Sequence, residues 1–153
     1  MTWERIRPLV IGVARRDGTL FVAEGHDPAG EDFYRPVGGA IEFGESSEVA
    51  LRREFAEELE VEIENPRYLG TIENRFEFDG EAGHEVVIVY EIDLPAGFAA
   101  EHPVTGHDDG GVTFEAGWVA LETLRAGARP LYPEGLLDVL GNAVHVTGEG
   151  KRT

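Results

Sequence analysis

Residues 39–61 read GAIEFGESSEVALRREFAEELEV, and the second half of this stretch sets Arg53 beside Glu54, with Glu57 and Glu58 one turn further on. On an α-helix, carboxylates at i, i+3 and i+4 share an arc of roughly 100°, so Glu54, Glu57 and Glu58 point one way. Like charges so placed repel one another, and the cluster is costly unless a cation sits among them. Hard oxygen donors with no cysteine nearby suit Mg²⁺, Mn²⁺ or Ca²⁺. A solvated acidic face is the commoner meaning of a Glu-rich helix. The loop before the helix is what argues for a site.

That loop runs Pro36, Val37, Gly38, Gly39, then Glu42, Gly44 and Glu45, with the helix expected to begin at Ser46 or Ser47. Paired glycines let a backbone approach a ligand closely and turn carbonyls toward a metal. In register, Gly39, Glu45, Arg53, Glu54, Phe55, Glu57, Glu58 and Val61 resemble the signature of the Nudix hydrolases. That signature is Gly, five residues, Glu, seven residues, Arg-Glu, a bulky apolar residue, any residue, Glu-Glu, any residue, Gly and an aliphatic residue. Glu60 stands where the family has its second glycine. A glycine just past a helix end usually serves a left-handed cap, and another residue there costs on the order of 1 kcal/mol if the backbone is kept.

Outside this stretch the chain reads as one domain over residues 1–153, with 42% apolar and 28% charged residues. Neither a membrane span nor a secretory leader is expected, and a cytoplasmic location follows from that expectation. The absence of cysteine removes disulfides, thiolate zinc sites and cysteine nucleophiles. A formal charge of −17, with Lys151 the only lysine, disfavours a long nucleic acid as partner. A small polyanion is compatible with that charge if metal ions screen it. A homodimer is kept as the candidate assembly.

Leu9–Ala14 and Leu20–Ala23 flank an Asp17-Gly18 turn and predict a hairpin. Tyr68–Phe78 and Glu85–Leu94 predict a second, and Thr113–Leu121 a final strand. Residues 95–112, with two prolines, several glycines and the pair Asp108 and Asp109, read as a mobile loop near the site. Tyr132–Val144 predicts a closing helix with Leu136, Leu137, Leu140 and Val144 inward, before a frayed tail from Gly148. On the glutamate helix, Val49, Leu51, Phe55, Ala56 and Leu59 are expected to pack on one side while the carboxylates bind on the other. Element order and resemblance together imply a Nudix-type α/β/α sandwich, a mixed β-sheet between helices.

A pyrophosphate bridge carries several negative oxygens that repel an attacking hydroxide unless metal ions offset their charge. Glu54, Glu57 and Glu58 are the candidate ligands for Mg²⁺, with Mn²⁺ the alternative, and the resemblance adds the Gly38 carbonyl. Arg53 cannot deprotonate, so its expected work is to pair with Glu45 or a helix glutamate and fix the ligand geometry. Which carboxylate takes the water proton stays open. Glu57 is a ligand first, Glu115 is the candidate outside the helix, and Glu85 and Glu91 are lesser ones. For substrate contact, Arg35 and Arg75 suit phosphate or a base, and Tyr34 and Phe76, with Phe33 and Phe78, suit stacking.

The resemblance thus implies a metal-dependent hydrolase that cleaves the pyrophosphate bond of a nucleoside diphosphate linked to another group, with a nucleoside triphosphate as the first substrate to consider. ADP-ribose and dinucleoside polyphosphates are the alternatives, though no residues beyond the signature mark either. An isomerase acting on isopentenyl diphosphate is disfavoured by the lack of cysteine. A catalytically silent nucleotide-binding module is the remaining reading, and the intact Glu54, Glu57 and Glu58 weigh against it.

Overall fold

The computed structural model describes residues 4–28, 30–78 and 80–152. Chain order is β1 (Arg7–Val13), β2 (Arg15–Arg16), β3 (Thr19–His26), β4 (Asp32–Arg35), β5 (Val37–Ala40), α1 (Ser47–Leu59), β6 (Glu64–Phe78) and β7 (Glu81–Asp93). It continues with β8 (Val104–His107), β9 (Thr113–Ala120), α2 (Leu121–Ala126), α3 (Leu136–Leu140) and β10 (His145–Arg152). These strands make two sheets, ordered β10-β6-β7-β1-β5 and β2-β3-β9-β8, with β4 added beside β3. The first sheet is mixed, since β1 runs parallel to β7 and antiparallel to β5.

Strand alternation divides the core between two sides of the sheets. Val10 and Phe21 pack with Leu51 and Phe55 of α1, whereas Ile11 and Leu20 pack with Leu124, Leu136 and Val139 of α2 and α3. Helices therefore cover both faces, and the expected α/β/α sandwich is what the chain forms. The expected single mixed sheet is divided in two. Leu9–Ala14 does not form a hairpin with Leu20–Ala23, because the chain crosses from one sheet to the other between β1 and β2. The Asp17-Gly18 turn instead joins β2 to β3, with both residues at positive φ, 52° and 75°.

The second hairpin forms as predicted, with β6 and β7 paired from Glu64↔Asp93 to Phe78↔Glu81. Residues 81–83 belong to β7 rather than to the expected loop, and Asp79 lies outside the described residues. Part of the expected loop over 95–112 is strand, since β8 pairs with β9 from Val104↔Ala116 to His107↔Thr113. The closing helix is only five residues long, ending at Gly141 with Asn142 at φ 80°. Leu136 and Val139 are its buried residues, and Val144 is exposed beyond it. Gly148 belongs to a strand rather than a frayed tail, because β10 finds an edge partner in β6.

Helix α1 starts where expected. Ser46 caps it, its hydroxyl accepting the Val49 N–H at 3.2 Å. At the other end Glu60 sits at φ 53°, ψ 41°, and its N–H donates to the Ala56 carbonyl at 3.0 Å. The left-handed cap is thus kept without its glycine. Glu60→Gly is expected to stabilise the protein by up to about 1 kcal/mol with little change in turnover. Denaturant melts and steady-state rates check this, and a large gain in kcat would show instead that Glu60 disturbs the glutamate face.

Candidate active site

The glutamate helix does not separate a packing side from a binding side. Its buried residues are Ala50, Leu51, Glu54, Phe55 and Glu58, so two of the three carboxylates lie within the apolar stripe, while Val49 and Ala56 are exposed. Such placement costs free energy unless each carboxylate is met by donors or cations.

Arg53 meets the first of them. Its Nε and Nη2 donate to the two oxygens of Glu45 at 2.7 and 2.9 Å, and its Nη1 donates to Glu54 Oε1 at 2.9 Å. The same guanidinium reaches the Ala40 carbonyl at 3.0 Å and Glu57 Oε2 at 3.3 Å. It thereby ties the loop before the helix to the helix itself, a task for a planar five-donor fork that lysine cannot reproduce. The Arg53 hydrogen bonds hold the Glu45 carboxyl down at about 2, with help from the Glu42 N–H, and Glu45 raises the Arg53 pKa in return.

Glu58 is the contrary case. It is 5% exposed, and its Oε2 has no hydrogen-bond partner. Burial first, then the neighbouring Glu54 and the charge of Asp109, push its carboxyl up to about 8, with Arg35 opposing them. An orphaned buried carboxylate oxygen beside a second carboxylate fits a divalent cation held by hard oxygen donors.

A fourth acid arrives from the loop between β8 and β9. One oxygen each from Glu54, Glu57 and Asp109 lie within 4.8 Å of one another. Asp108 shapes that loop, its Oδ1 accepting the Gly110 and Val112 N–H groups at 2.9 Å each. Gly38 and Gly39 form the wall opposite. A Cβ on Gly38 would lie 2.0 Å from the Val10 carbonyl oxygen, and one on Gly39 would lie 2.5 Å from the Glu54 carboxyl carbon. Both glycines are therefore steric requirements, the second one for the glutamate.

Next to this wall opens a cavity of about 350 Å³, lined by Gly38, Gly39 and Arg35 and by the rings of Phe33, Phe76 and Phe78. Arg35 and Phe76 thus share a space that borders the carboxylates. Tyr34 does not, because alternation along β4 turns it away from Phe33 and Arg35. It lines a second cavity of about 310 Å³ together with Glu115. There Glu115 Oε1 accepts the Thr105 hydroxyl at 2.8 Å. On β9, Phe114 and Ala116 face the α1 side of the core and Glu115 the other. Arg75 lines a separate depression beside His84. The acid brought to the helix from beyond it is Asp109, for which the Asp-Asp-Gly-Gly run at residues 108–111 was the available signal. Arg7 and Tyr132, also on the first cavity, carry no sequence signal of that kind.

Without metal, the protein should be destabilised by rising pH. Glu58 has a folded pKa above its ordinary 4.5, so the folded state holds a proton that the unfolded state releases, and stability falls as pH climbs from about 4.5 to about 8. Glu45, depressed to about 2, contributes stability that is lost only as pH falls below the ordinary glutamate range. Thermal melts in chelator at about pH 5 and about pH 8 should therefore differ, with added Mg²⁺ raising the second most and Glu58→Gln removing the difference. Equal melting temperatures at the two pH values would contradict a strained Glu58.

A search among curated proteins returned no match. Solved structures do match. A MutT NUDIX hydrolase from Burkholderia pseudomallei is 22% identical with a TM-score of 0.66, the match covering 92% of this chain and 100% of that one. A NUDIX hydrolase from Nitrosomonas europaea is 17% identical with a TM-score of 0.61, over 90% of this chain and 88% of that one. A mutator MutT protein from Bacillus halodurans is 14% identical with a TM-score of 0.61, over 96% and 90%. At these identities the likeness is one of fold. The family model for the NUDIX domain matches residues 4–137, which hold the glycine wall, the glutamate helix and the Asp109 loop, and the chain accordingly belongs to the NUDIX family, whose members are generally pyrophosphohydrolases.

Proposed function

We propose that this chain uses Mg²⁺, or Mn²⁺ in its place, to hydrolyse the pyrophosphate bond of a nucleoside diphosphate linked to another group, a nucleoside triphosphate being the first case. The observation that carries this reading is the continuity of two features across Gly38 and Gly39. On one side stand Glu54, Glu57, Glu58 and Asp109, and on the other an aromatic cavity large enough for a base. Phosphates drawn to the first place a nucleoside in the second.

Glu54, Glu57, Glu58 and the Gly38 carbonyl are the groups to hold the metal, with Asp109 closing the set from its loop. When bound, the divalent cation supplies the positive charge that offsets the phosphates and acidifies water. Arg53 keeps Glu54 and Glu57 aimed while its bidentate grip on Glu45 fixes the loop. Arg35, whose charge already acts on Glu58, lies between carboxylates and cavity and is placed to meet a phosphate oxygen. Asp109 rather than Glu115 is the acid that joins the helix carboxylates from beyond the helix, since Glu115 faces the other cavity.

Nucleoside triphosphates, ADP-ribose and dinucleoside polyphosphates assayed with Mg²⁺, with Mn²⁺ and with chelator test the reading. Metal-dependent cleavage at the pyrophosphate bond is the expected result. Binding of a nucleotide with no turnover of any compound would leave a silent binding module as the correct description.

A further inference from the structure

The cavity beside Gly38 and Gly39 is lined mostly by apolar side chains, and Arg7, Arg35 and Glu85 are its charged residues. Glu85 on β7 lies on the face of the first sheet that also carries Leu9 and Val87, and it is 7% exposed. Arg7, 60% exposed at the rim, holds its Nη1 3.6 Å from Glu85 Oε2. The pairing register explains the meeting, since β1 and β7 run parallel with Arg7 opposite Glu85 and Leu9 opposite Val87. A carboxylate enclosed this far is expensive to keep, and a cation at the rim offsets part of that cost without filling the cavity.

A carboxylate accepts hydrogen bonds and donates none when ionised, and its two oxygens lie side by side. A flat ring slid between Phe33, Phe76 and Phe78 therefore meets an edge that rewards two neighbouring N–H donors and repels lone pairs. Among the common bases only guanine presents such an edge, its N1–H beside the 2-amino group. Adenine and cytosine set one amino group beside a ring acceptor, and uracil sets one N–H between two carbonyls. Resting on the nucleotide reading of the site, we propose that Glu85 is its specificity-determining residue, accepting two hydrogen bonds from the amino-oxo edge of a guanine-type base. The aromatic walls supply affinity for any base, and Glu85 supplies the choice.

The test compares GTP, ITP, ATP, CTP and UTP with Mg²⁺, and separately the binding of GDP and ADP to the metal-free protein by calorimetry. GTP should exceed ATP, CTP and UTP in kcat/KM by about 10- to 100-fold, the worth of a good bidentate pair. ITP, which differs from GTP only by the missing 2-amino group, should fall about 10-fold in the wild-type protein, chiefly through KM. Glu85→Gln should erase the guanine preference in both assays, bringing the GTP-to-ATP ratio of kcat/KM down to about 1. A wild type that treats GTP and ITP alike overturns the proposal without recourse to any variant, as does a Glu85→Gln protein that keeps its preference. If no nucleotide is hydrolysed, the proposed activity fails and the GDP and ADP binding constants still decide the role of Glu85.

Discussion

Glu57→Gln is expected to lower kcat by about 10² or more while leaving the fold and its melting temperature in chelator essentially unchanged. The asymmetry follows from where Glu57 sits. Its side chain is 53% exposed, and its hydrogen bond within the chain is a long one, 3.3 Å from Arg53. A surface pair of this kind contributes little to stability. Yet its oxygen lies within 4.8 Å of those of Glu54 and Asp109, where a cation would draw all three together. Replacing the acid with its amide removes a charge the metal needs and little that the fold needs. Near-wild-type turnover at saturating Mg²⁺ would remove the helix carboxylates from the centre of the chemistry.

Glu58 is expected to behave in the opposite sense. Its carboxylate is buried with one oxygen unmet, so its amide should stabilise the metal-free protein at alkaline pH even as it harms metal binding. Two glutamates adjacent in sequence thus separate by their environments, one tested by rate and the other by stability.

This separation was hidden in the sequence for a physical reason. Spacing alone groups Glu54, Glu57 and Glu58 on one arc, and the usual rule that charged residues face water puts that arc outside. The rule fails where Arg53 and a cation compensate burial, and Glu54 and Glu58 fall inside with Leu51 and Phe55. The signature itself was legible because each residue type is dictated locally: the cap at Ser46, the guanidinium at Arg53, the glycines that leave room. What was not legible depends on partners distant in the chain. Strand β8 lies in a Pro/Gly-rich stretch and exists because β9 offers it an edge, and β10 exists because β6 does. The exposure of Val144 follows from α3 stopping at Leu140, a short helix whose ends carry Gly135 and Gly141. Likewise Glu115 and Asp109 are both acids near the same loop, and only the alternation of β9 and the Asp108 turn decide which one reaches the helix.

Gly39→Ala should be damaging although it adds a single methyl group. The glycine's φ is not in the left-handed region, so alanine meets no backbone penalty there, and the whole effect is steric. A Cβ at this position would stand 2.5 Å from the Glu54 carboxyl carbon and 2.6 and 2.7 Å from its two oxygens. Glu54 is 2% exposed and bound to Arg53 at 2.9 Å, so the carboxylate has no open space to retreat into without breaking that bond. Overpacking of this kind costs about 1–3 kcal/mol of stability. Its effect on function should be larger in proportion, because displacing a ligand or its immediate support typically lowers metal affinity or activity by about 10- to 100-fold. The expected result is a folded protein whose apparent Kd for Mg²⁺ rises by that factor, with kcat at saturating metal still reduced. Gly117→Ala is the matched control. Its added Cβ would sit an ordinary 3.5 Å from Pro103 in the cavity of Tyr34 and Glu115. That variant should keep wild-type Mg²⁺ affinity and turnover. Were Gly39→Ala to bind Mg²⁺ normally, Glu54 would have to be free to swing aside, and the reading of the glycine wall as a steric guide for that glutamate would be lost.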